Sequence, residues 1–121
     1  MKNSICFGEV LIDMLSNKLG GDQNQQETFT KFAGGAPANV SVAIAKLGGQ
    51  AYFSGMLGQD MFGEFLYQAL KSEGVKTDYM RFTPNAKTAL AFVSLDNDGD
   101  RSFEFYRDGS VVQNLVINSL S

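Results

Sequence analysis

The pattern of apolar and polar positions along the chain predicts short strands interrupted by two helices. Residues 4–10 form a predicted buried strand, and the apolar character continues around Asp13 to Leu15. Further strands are predicted at residues 27–33, 51–56, 75–82, 88–95 and 102–106. The resulting order β-β-α-β-α-β-β-β favours a layered α/β domain with extra strands available for a lid.

A glycine-rich segment, Gly-Gly-Ala-Pro-Ala-Asn at residues 34–39, precedes the first predicted helix. Pro37 suits the first turn of a helix, because its missing N–H would be unpaired there anyway. The helix is predicted to follow one apolar stripe and to end at a Gly-Gly pair. The residues of that stripe are Val40, Ile44 and Leu47.

The second predicted helix begins after Asp60, whose side chain can cap it, and ends at Gly74. Residues 88–95 are a near-continuous apolar run, as expected for a central strand buried on both faces. Residues 96–100 are interpreted as a hairpin turn. The predicted buried side of the second helix consists of Phe62, Phe65, Leu66, Ala69 and Leu70.

Composition and charge narrow the class of protein. The 121 residues are 44% hydrophobic and include ten Phe, which is enough for a core. The net charge of -3 and the absence of a basic patch argue against nucleic acid as a partner. Cys6 is the single cysteine, so an internal disulfide is excluded and a cytoplasmic location is favoured. No run approaches the ~20 apolar residues of a membrane span, so no membrane partner is expected.

The chain contains no histidine. This excludes Ser-His-Asp and Cys-His nucleophile systems and removes the commonest metal ligand. Two phosphate-binding motifs are also missing. The glycines at 58 and 63 are followed by Glu64-Phe65 instead of Lys-Ser/Thr, and no G-x-G-x-x-G occurs.

Three features are candidates for holding a polar ligand, and each has an ordinary alternative. Gly34 and Gly35 let backbone N–H groups approach an anion or a hydroxyl-rich ligand at a helix N-terminus, and Asn39 offers a donor and an acceptor; the alternative is a tight turn without a ligand. Asp13 follows the first strand, where α/β folds place ligand contacts, and a solvated acid at a strand end is the ordinary alternative, which Asp13 taken alone favours. Arg107 is predicted to lie on the same face of the last strand as its aromatic residues. There it would bind a ligand, or alternatively it would extend its charged end into solvent.

As a set, these segments resemble the fructokinase branch of the PfkB carbohydrate kinases. Residues 34–43, 47–48 and 58–63 are similar to the family's first signature region, and Gly8-Glu9 with Asp13 is similar to its opening strand. Residues 88–93 and 103–107 resemble later strands of that branch. The resemblance implies a ribokinase-like three-layer α/β sandwich with a small β lid. Residues 1–121 would be its N-terminal sugar-binding part, with lid strands at about 11–33 and 75–108.

The resemblance also implies roles for individual residues. By position, Asp13, Gly35 and Asn39 would hydrogen-bond sugar hydroxyls, Gly34 would shape the loop and Arg107 would reach the substrate. The implied reaction transfers the γ-phosphoryl group of ATP to a sugar hydroxyl with Mg²⁺ assisting. The family's Gly-Ala-Gly-Asp element, which provides the catalytic base, has no counterpart here. We therefore assign no catalytic residue and expect ATP and Mg²⁺ only in the complete enzyme, whose ATP-binding part is absent from this chain.

The resemblance leaves the sugar open among fructose, 2-keto-3-deoxygluconate, ribose and a nucleoside. It also leaves two alternatives to an enzyme part that is inactive alone. One is a module that binds a sugar without phosphorylating it. The other is an interaction protein that forms a homodimer through the exposed edges of the lid strands.

Overall fold

The computed structural model describes residues 3–17, 20, 28–95 and 98–106. In these ranges the strands and helices alternate as an α/β chain, which confirms the predicted class. The elements are β1 (Asn3–Phe7), β2 (Leu11–Ser16), β3 (Phe29–Gly34), α1 (Ala36–Lys46), β4 (Gln50–Gly58), α2 (Met61–Ser72), β5 (Met80–Thr83), β6 (Leu90–Leu95) and β7 (Arg101–Tyr106).

The strands form two sheets. The first has the order β1-β4-β5, and its neighbouring strands are parallel. The second has the order β3-β2-β6-β7, with β2 and β6 parallel and the two outer pairs antiparallel. β6 therefore has a neighbour on each side, as predicted for a central strand, and its side chains from Leu90 to Ser94 are buried or half-buried.

The predicted strand over residues 4–10 is interrupted at Gly8, which corrects the predicted order to β-β-β-α-β-α-β-β-β. Gly8 has a φ of 145°, and a Cβ there would lie 2.8 Å from Cγ of Pro37. At this point the chain leaves the first sheet and crosses to the second. The break cannot be seen in the sequence because the apolar residues Val10 and Leu11 follow shortly after it. Both are buried, as residues of a core strand would be.

The larger of two hydrophobic clusters in the described part of the chain joins the two sheets and both helices. α2 faces this core with the side that the sequence predicts: Leu66 and Leu70 are buried, and Phe62 and Phe65 pack against the cluster. Asp60 is its N-cap, also as predicted. The buried residues of the cluster are Val10, Ile12, Ala38, Phe53, Leu57, Leu66, Leu70, Val75 and Met80.

α1 faces the core with different residues from those of the predicted stripe. Val40 is 51% exposed and Leu47 is 88% exposed, whereas Ala38 and Ser41 are buried. The Ser41 hydroxyl donates a hydrogen bond of 2.7 Å to the Ala38 carbonyl, so its burial leaves no unpaired polar group. The stripe prediction was wrong because α1 approaches the sheet through small residues, which an analysis of large apolar positions overlooks.

The predicted strand at residues 75–82 is confirmed only in part. Within residues 75–82 a regular strand begins only at Met80, preceded by an isolated bridge between Tyr52 and Lys76.

Two predictions concern residues that the structure does not describe. Arg107 lies outside the described residues, and so do residues 96–97 of the predicted hairpin turn.

Neither α1 nor α2, the helices of the described ranges, has the length and apolar character to cross a membrane.

Candidate sugar-binding site

The candidate site forms where β3 ends and α1 begins. Gly34 is the last residue of β3 and pairs with Leu11 of β2, and Gly35 is the N-cap of α1. Gly35 has a φ of 100°, and a Cβ there would lie 2.7 Å from the carbonyl oxygen of Glu9. Both the backbone angle and the available space therefore require glycine at this N-cap.

Asp13 extends its carboxyl group over Gly34. It lies two residues along β2 from Leu11, on the same face of the sheet as Gly34. A Cβ on Gly34 would collide with Oδ2 of Asp13 and would lie 2.7 Å from its Cγ. The carboxyl group thus occupies the space that a side chain at Gly34 would fill. This brings an acid directly beside the N-terminus of α1.

Burial raises the pKa of Asp13, and the positive charge of Arg101 on β7 counters this only in part. Because the folded chain holds the Asp13 proton more tightly than an unfolded chain would, the ionised carboxylate opposes folding above its pKa. The contribution of Asp13 to folding stability is fully present below the pKa of the unfolded chain. It decreases as the pH rises through the raised pKa of the folded chain. An acid whose ionised form opposes folding is typical of a functional site.

The N-cap residue of α1, Gly35, gives the first turn of the helix no side-chain cap. Pro37 occupies that turn, which contains no acidic residue. The backbone N–H groups at this end therefore carry partial positive charge without an anion from the helix itself. Asn39 lies in the same turn with an exposed side chain, and its backbone N–H donates to the Gly35 carbonyl at 3.0 Å.

Asn39 also lines a cavity of about 290 Å³ between β3, α1 and α2. Lys31 and Phe65 lie at this cavity, where the Lys31 Nζ is 4.8 Å from the centre of the Phe65 ring. Lys31 and Arg101 could not be identified from the sequence as neighbours of the candidate residues. Lys31 shares the cavity with Asn39 and the charge of Arg101 acts on Asp13 through the tertiary structure, which no local pattern encodes.

The candidate residues that the structure describes offer hydrogen-bonding groups. In ranges 3–17, 28–95 and 98–106 no three His, Cys, Asp or Glu side chains come close enough to hold a metal ion. We therefore assign no metal contact and no nucleotide contact to these residues. What they do offer is one carboxylate acceptor, helix N-terminal N–H donors and one amide, a set suited to hydroxyl groups.

The chain is similar to known kinases over most of its length. It is 51% identical over 106 residues to the probable chloroplastic fructokinase-6 of Arabidopsis thaliana, covering 88% of this chain and 28% of that protein. It is 44% identical over 117 residues to the fructokinase of Solanum tuberosum, covering 97% of this chain and 37% of that protein. The chain thus spans about a third of the length of these curated relatives.

Solved structures with the same fold are also kinases. The crystal structure of a fructokinase from Xylella fastidiosa superimposes with a TM-score of 0.80 at 53% identity, covering 91% of this chain and 34% of that one. A putative ribokinase from E. coli superimposes with a TM-score of 0.87 at 27% identity, covering 95% of this chain and 37% of that one. These neighbours confirm the predicted ribokinase-like fold class.

A family model for the pfkB family carbohydrate kinases matches residues 1–116. The match extends over nearly the whole chain and includes the Gly-Gly segment, α1, α2 and the strands of both sheets. The chain therefore belongs to the pfkB family of carbohydrate kinases.

Proposed function

We propose that this chain is the sugar-recognising part of a fructokinase-type kinase. The observation that carries the proposal is the Asp13 carboxyl group held over Gly34, directly beside the uncapped N-terminus of α1. An acceptor and a set of donors side by side suit the vicinal hydroxyl groups of a sugar. We propose fructose as the sugar because several similar relatives bear the name fructokinase.

Each candidate residue has a proposed part in sugar binding. Asp13 accepts hydrogen bonds from hydroxyl groups, Gly35 and the first turn of α1 donate from the backbone, and Asn39 does both. Gly34 provides the space for the Asp13 carboxyl group. Arg107, carried over from the resemblance alone, approaches the sugar from the segment after β7. In this assignment residues 1–121 are the N-terminal sugar-binding part, and strands within about 11–33 and 75–108 form a lid.

The complete reaction would transfer the γ-phosphoryl group of ATP to a sugar hydroxyl, with positioning and charge stabilisation as the main physical demands. One related structure is the Xylella fastidiosa fructokinase with bound ATP, which supports ATP as the phosphoryl donor of the family. Mg²⁺ belongs to the same proposal. The contribution of this chain is to bind and orient the sugar, and the catalytic base is assigned to none of its residues.

Fructose binding to the 121-residue chain tests the proposal. In ¹⁵N-labelled protein we expect fructose to shift the amide resonances of Gly34, Gly35 and Asn39. Asp13→Asn should weaken fructose binding by at least about tenfold, the cost of a lost charged acceptor. At neutral pH this variant should be no less stable than the parent, because burial has raised the pKa of Asp13.

Asp78→Asn is the matched control, because Asp78 is an exposed acid outside the site. It should bind fructose like the parent chain. The proposal fails if fructose leaves the resonances at the β3–α1 junction unchanged, or if both variants lose binding equally.

A specific observation also favours the second candidate function, self-association through the lid strands. The face of the second sheet that carries Asp13 also carries several exposed large apolar residues, and a patch of this kind marks an interaction surface. These residues are Leu15, Phe32, Leu95, Phe103 and Phe105. Concentration-dependent dimerisation without any response to sugar would favour this role, whereas thermal stabilisation by sugar would favour binding.

Partners and location complete the proposal. A small-molecule sugar is the proposed partner, with neither nucleic acid nor a membrane involved. A cytoplasmic location is consistent with the single, half-buried Cys6. One relative is named as a chloroplastic fructokinase, so an organellar location is the alternative for a chain of this type.

A further inference from the structure

The cavity between β3, α1 and α2 is large enough for a small molecule with one ring. Its volume is about 290 Å³, whereas a cavity of roughly 150 Å³ already holds benzene in another protein. Most of its lining is apolar, and those side chains are buried or half-buried. They are Ala33, Ala38, Val42, Phe65, Ala69 and Leu70.

Lys31 brings a positive charge to this apolar lining. Its Nζ lies 4.8 Å from the centre of the Phe65 ring. Glu73, the acid of the lining, is paired at 3.4 Å with Lys46 and not with Lys31. Within the described ranges, Lys31 therefore has no acidic partner, and the cavity offers a cation beside an aromatic ring.

The cavity lies behind the candidate sugar site. Asp13 pairs with Phe32 of β3, and successive side chains of a strand point to opposite faces. Lys31 is therefore on the face opposite to that of the Asp13 carboxyl group. Asn39 is the candidate sugar residue that also lines the cavity. A ligand on the Lys31 face needs no sugar in place, so its binding is a separate property of the chain.

We propose that this cavity binds a small aromatic monocarboxylate, with its ring among the apolar side chains and its carboxylate on Lys31. Phe65 favours an aromatic body, because ring pairs gain stability beyond the burial of their area. Lys31 favours an anion, because charge-assisted hydrogen bonds are roughly twice as strong as neutral ones. The Asn39 amide offers a second donor. The carboxylate of Glu73 disfavours a second negative charge on the ligand, so a monocarboxylate fits better than a phosphate ester.

Titration of the ¹⁵N-labelled chain with benzoate tests this proposal. We expect saturable shifts of the amide resonances of Lys31, Phe65 and Ala69. Benzamide has the same shape without the charge, and acetate has the charge without the ring. Each should bind at least about tenfold more weakly than benzoate. In Lys31→Met, benzoate and benzamide should bind equally. Lys31 is exposed, so this variant should keep the circular dichroism spectrum of the parent.

Lys71→Met is the matched control. Lys71 also lies over an aromatic ring, 5.9 Å from the centre of Tyr67, but outside the lining of the cavity. This variant should keep the preference for benzoate. Ala69→Met is a second test, because methionine is nearly as good a helix former as alanine. Its side chain should fill the cavity and abolish the binding of benzoate.

Three outcomes would overturn the proposal. The first is the absence of any saturable shift with benzoate. The second is equal binding of benzoate and benzamide by the parent chain, which would remove the role of Lys31. The third is binding of acetate as tight as that of benzoate, which would leave only a charged surface residue. Fructose is left out of the experiment, so the result is independent of sugar binding.

Discussion

Replacing Asp60 with alanine should destabilise the folded chain by about 4 kcal/mol, the largest effect that we expect from one substitution. Asp60 Oδ1 accepts from the Gly63 N–H at 2.7 Å and from the Thr88 hydroxyl at 2.8 Å, and Oδ2 accepts from the Thr88 N–H at 3.0 Å. An N-cap contributes about 1 kcal/mol, and each buried donor left unpaired costs about 1–3 kcal/mol. Thr88 is 5% exposed, so its two donors have little access to water once the acceptor is lost.

Urea unfolding at constant m-value measures this effect. The control is Glu64→Ala, because Glu64 is an exposed acid in the same first turn of α2 and should cost no more than about 0.5 kcal/mol. Combining Asp60→Ala with Thr88→Val should show a coupling of about 1–2 kcal/mol. Additive effects would mean that the link between α2 and the start of β6 contributes nothing to stability.

The same contacts predict a dependence on pH. Burial alone would raise the pKa of Asp60, but the hydrogen bonds from Thr88 and Gly63 and the charge of Lys87 outweigh it and lower the pKa. A lowered folded pKa means that the stabilisation is fully present above the pKa of the unfolded chain. It is lost as the pH falls through the folded value. The difference in stability between the parent chain and Asp60→Ala should therefore shrink only in strong acid.

Replacing Gly63 with alanine should destabilise the chain by about 3 kcal/mol, although alanine is normally preferred in a helix by about 1 kcal/mol. Gly63 lies in the first turn of α2 and is buried. A Cβ there would collide with the carbonyl oxygen of Gly58, at the end of β4, and would lie 3.3 Å from Oγ1 of Thr88. A backbone carbonyl cannot rotate away as a side chain can, so α2 or β4 must shift.

The midpoint of urea unfolding also measures this second effect. Gln68→Ala is the control, since Gln68 is an exposed residue of the same helix whose side chain donates a 3.0 Å hydrogen bond to Glu64. It should change the stability by less than about 0.5 kcal/mol. If Gly63→Ala were as stable as the parent or more so, the tight contact between α2 and β4 would be disproved.

Features that depend on a few neighbouring residues could be predicted from the sequence. Asp60 was identified as an N-cap because capping requires only a polar side chain just before a helix. The Gly34–Gly35 junction and the start of α1 followed from the same local rules. The buried side of α2 could be predicted because large apolar residues recur along it at the helical period.

Features that depend on distant partners could not be predicted. Thr88 binds Asp60 across 28 residues of sequence, and no local pattern indicates this contact. The break at Gly8 was missed because apolar residues continue on both sides of it. The packing side of α1 was missed because Ala38 and Ser41 are small. In each case tertiary packing decides what the periodicity of the sequence leaves open.

The most direct test of the central claim is whether this chain can recognise the sugar for a complete kinase. A chimera should be made in which this chain replaces the matching third of the Xylella fastidiosa fructokinase. We predict that it phosphorylates fructose with kcat/KM within about tenfold of the parent enzyme, and that Asp13→Ala in the chimera lowers kcat/KM by about 100-fold. A folded chimera that binds ATP but phosphorylates neither fructose nor any other sugar would contradict the account.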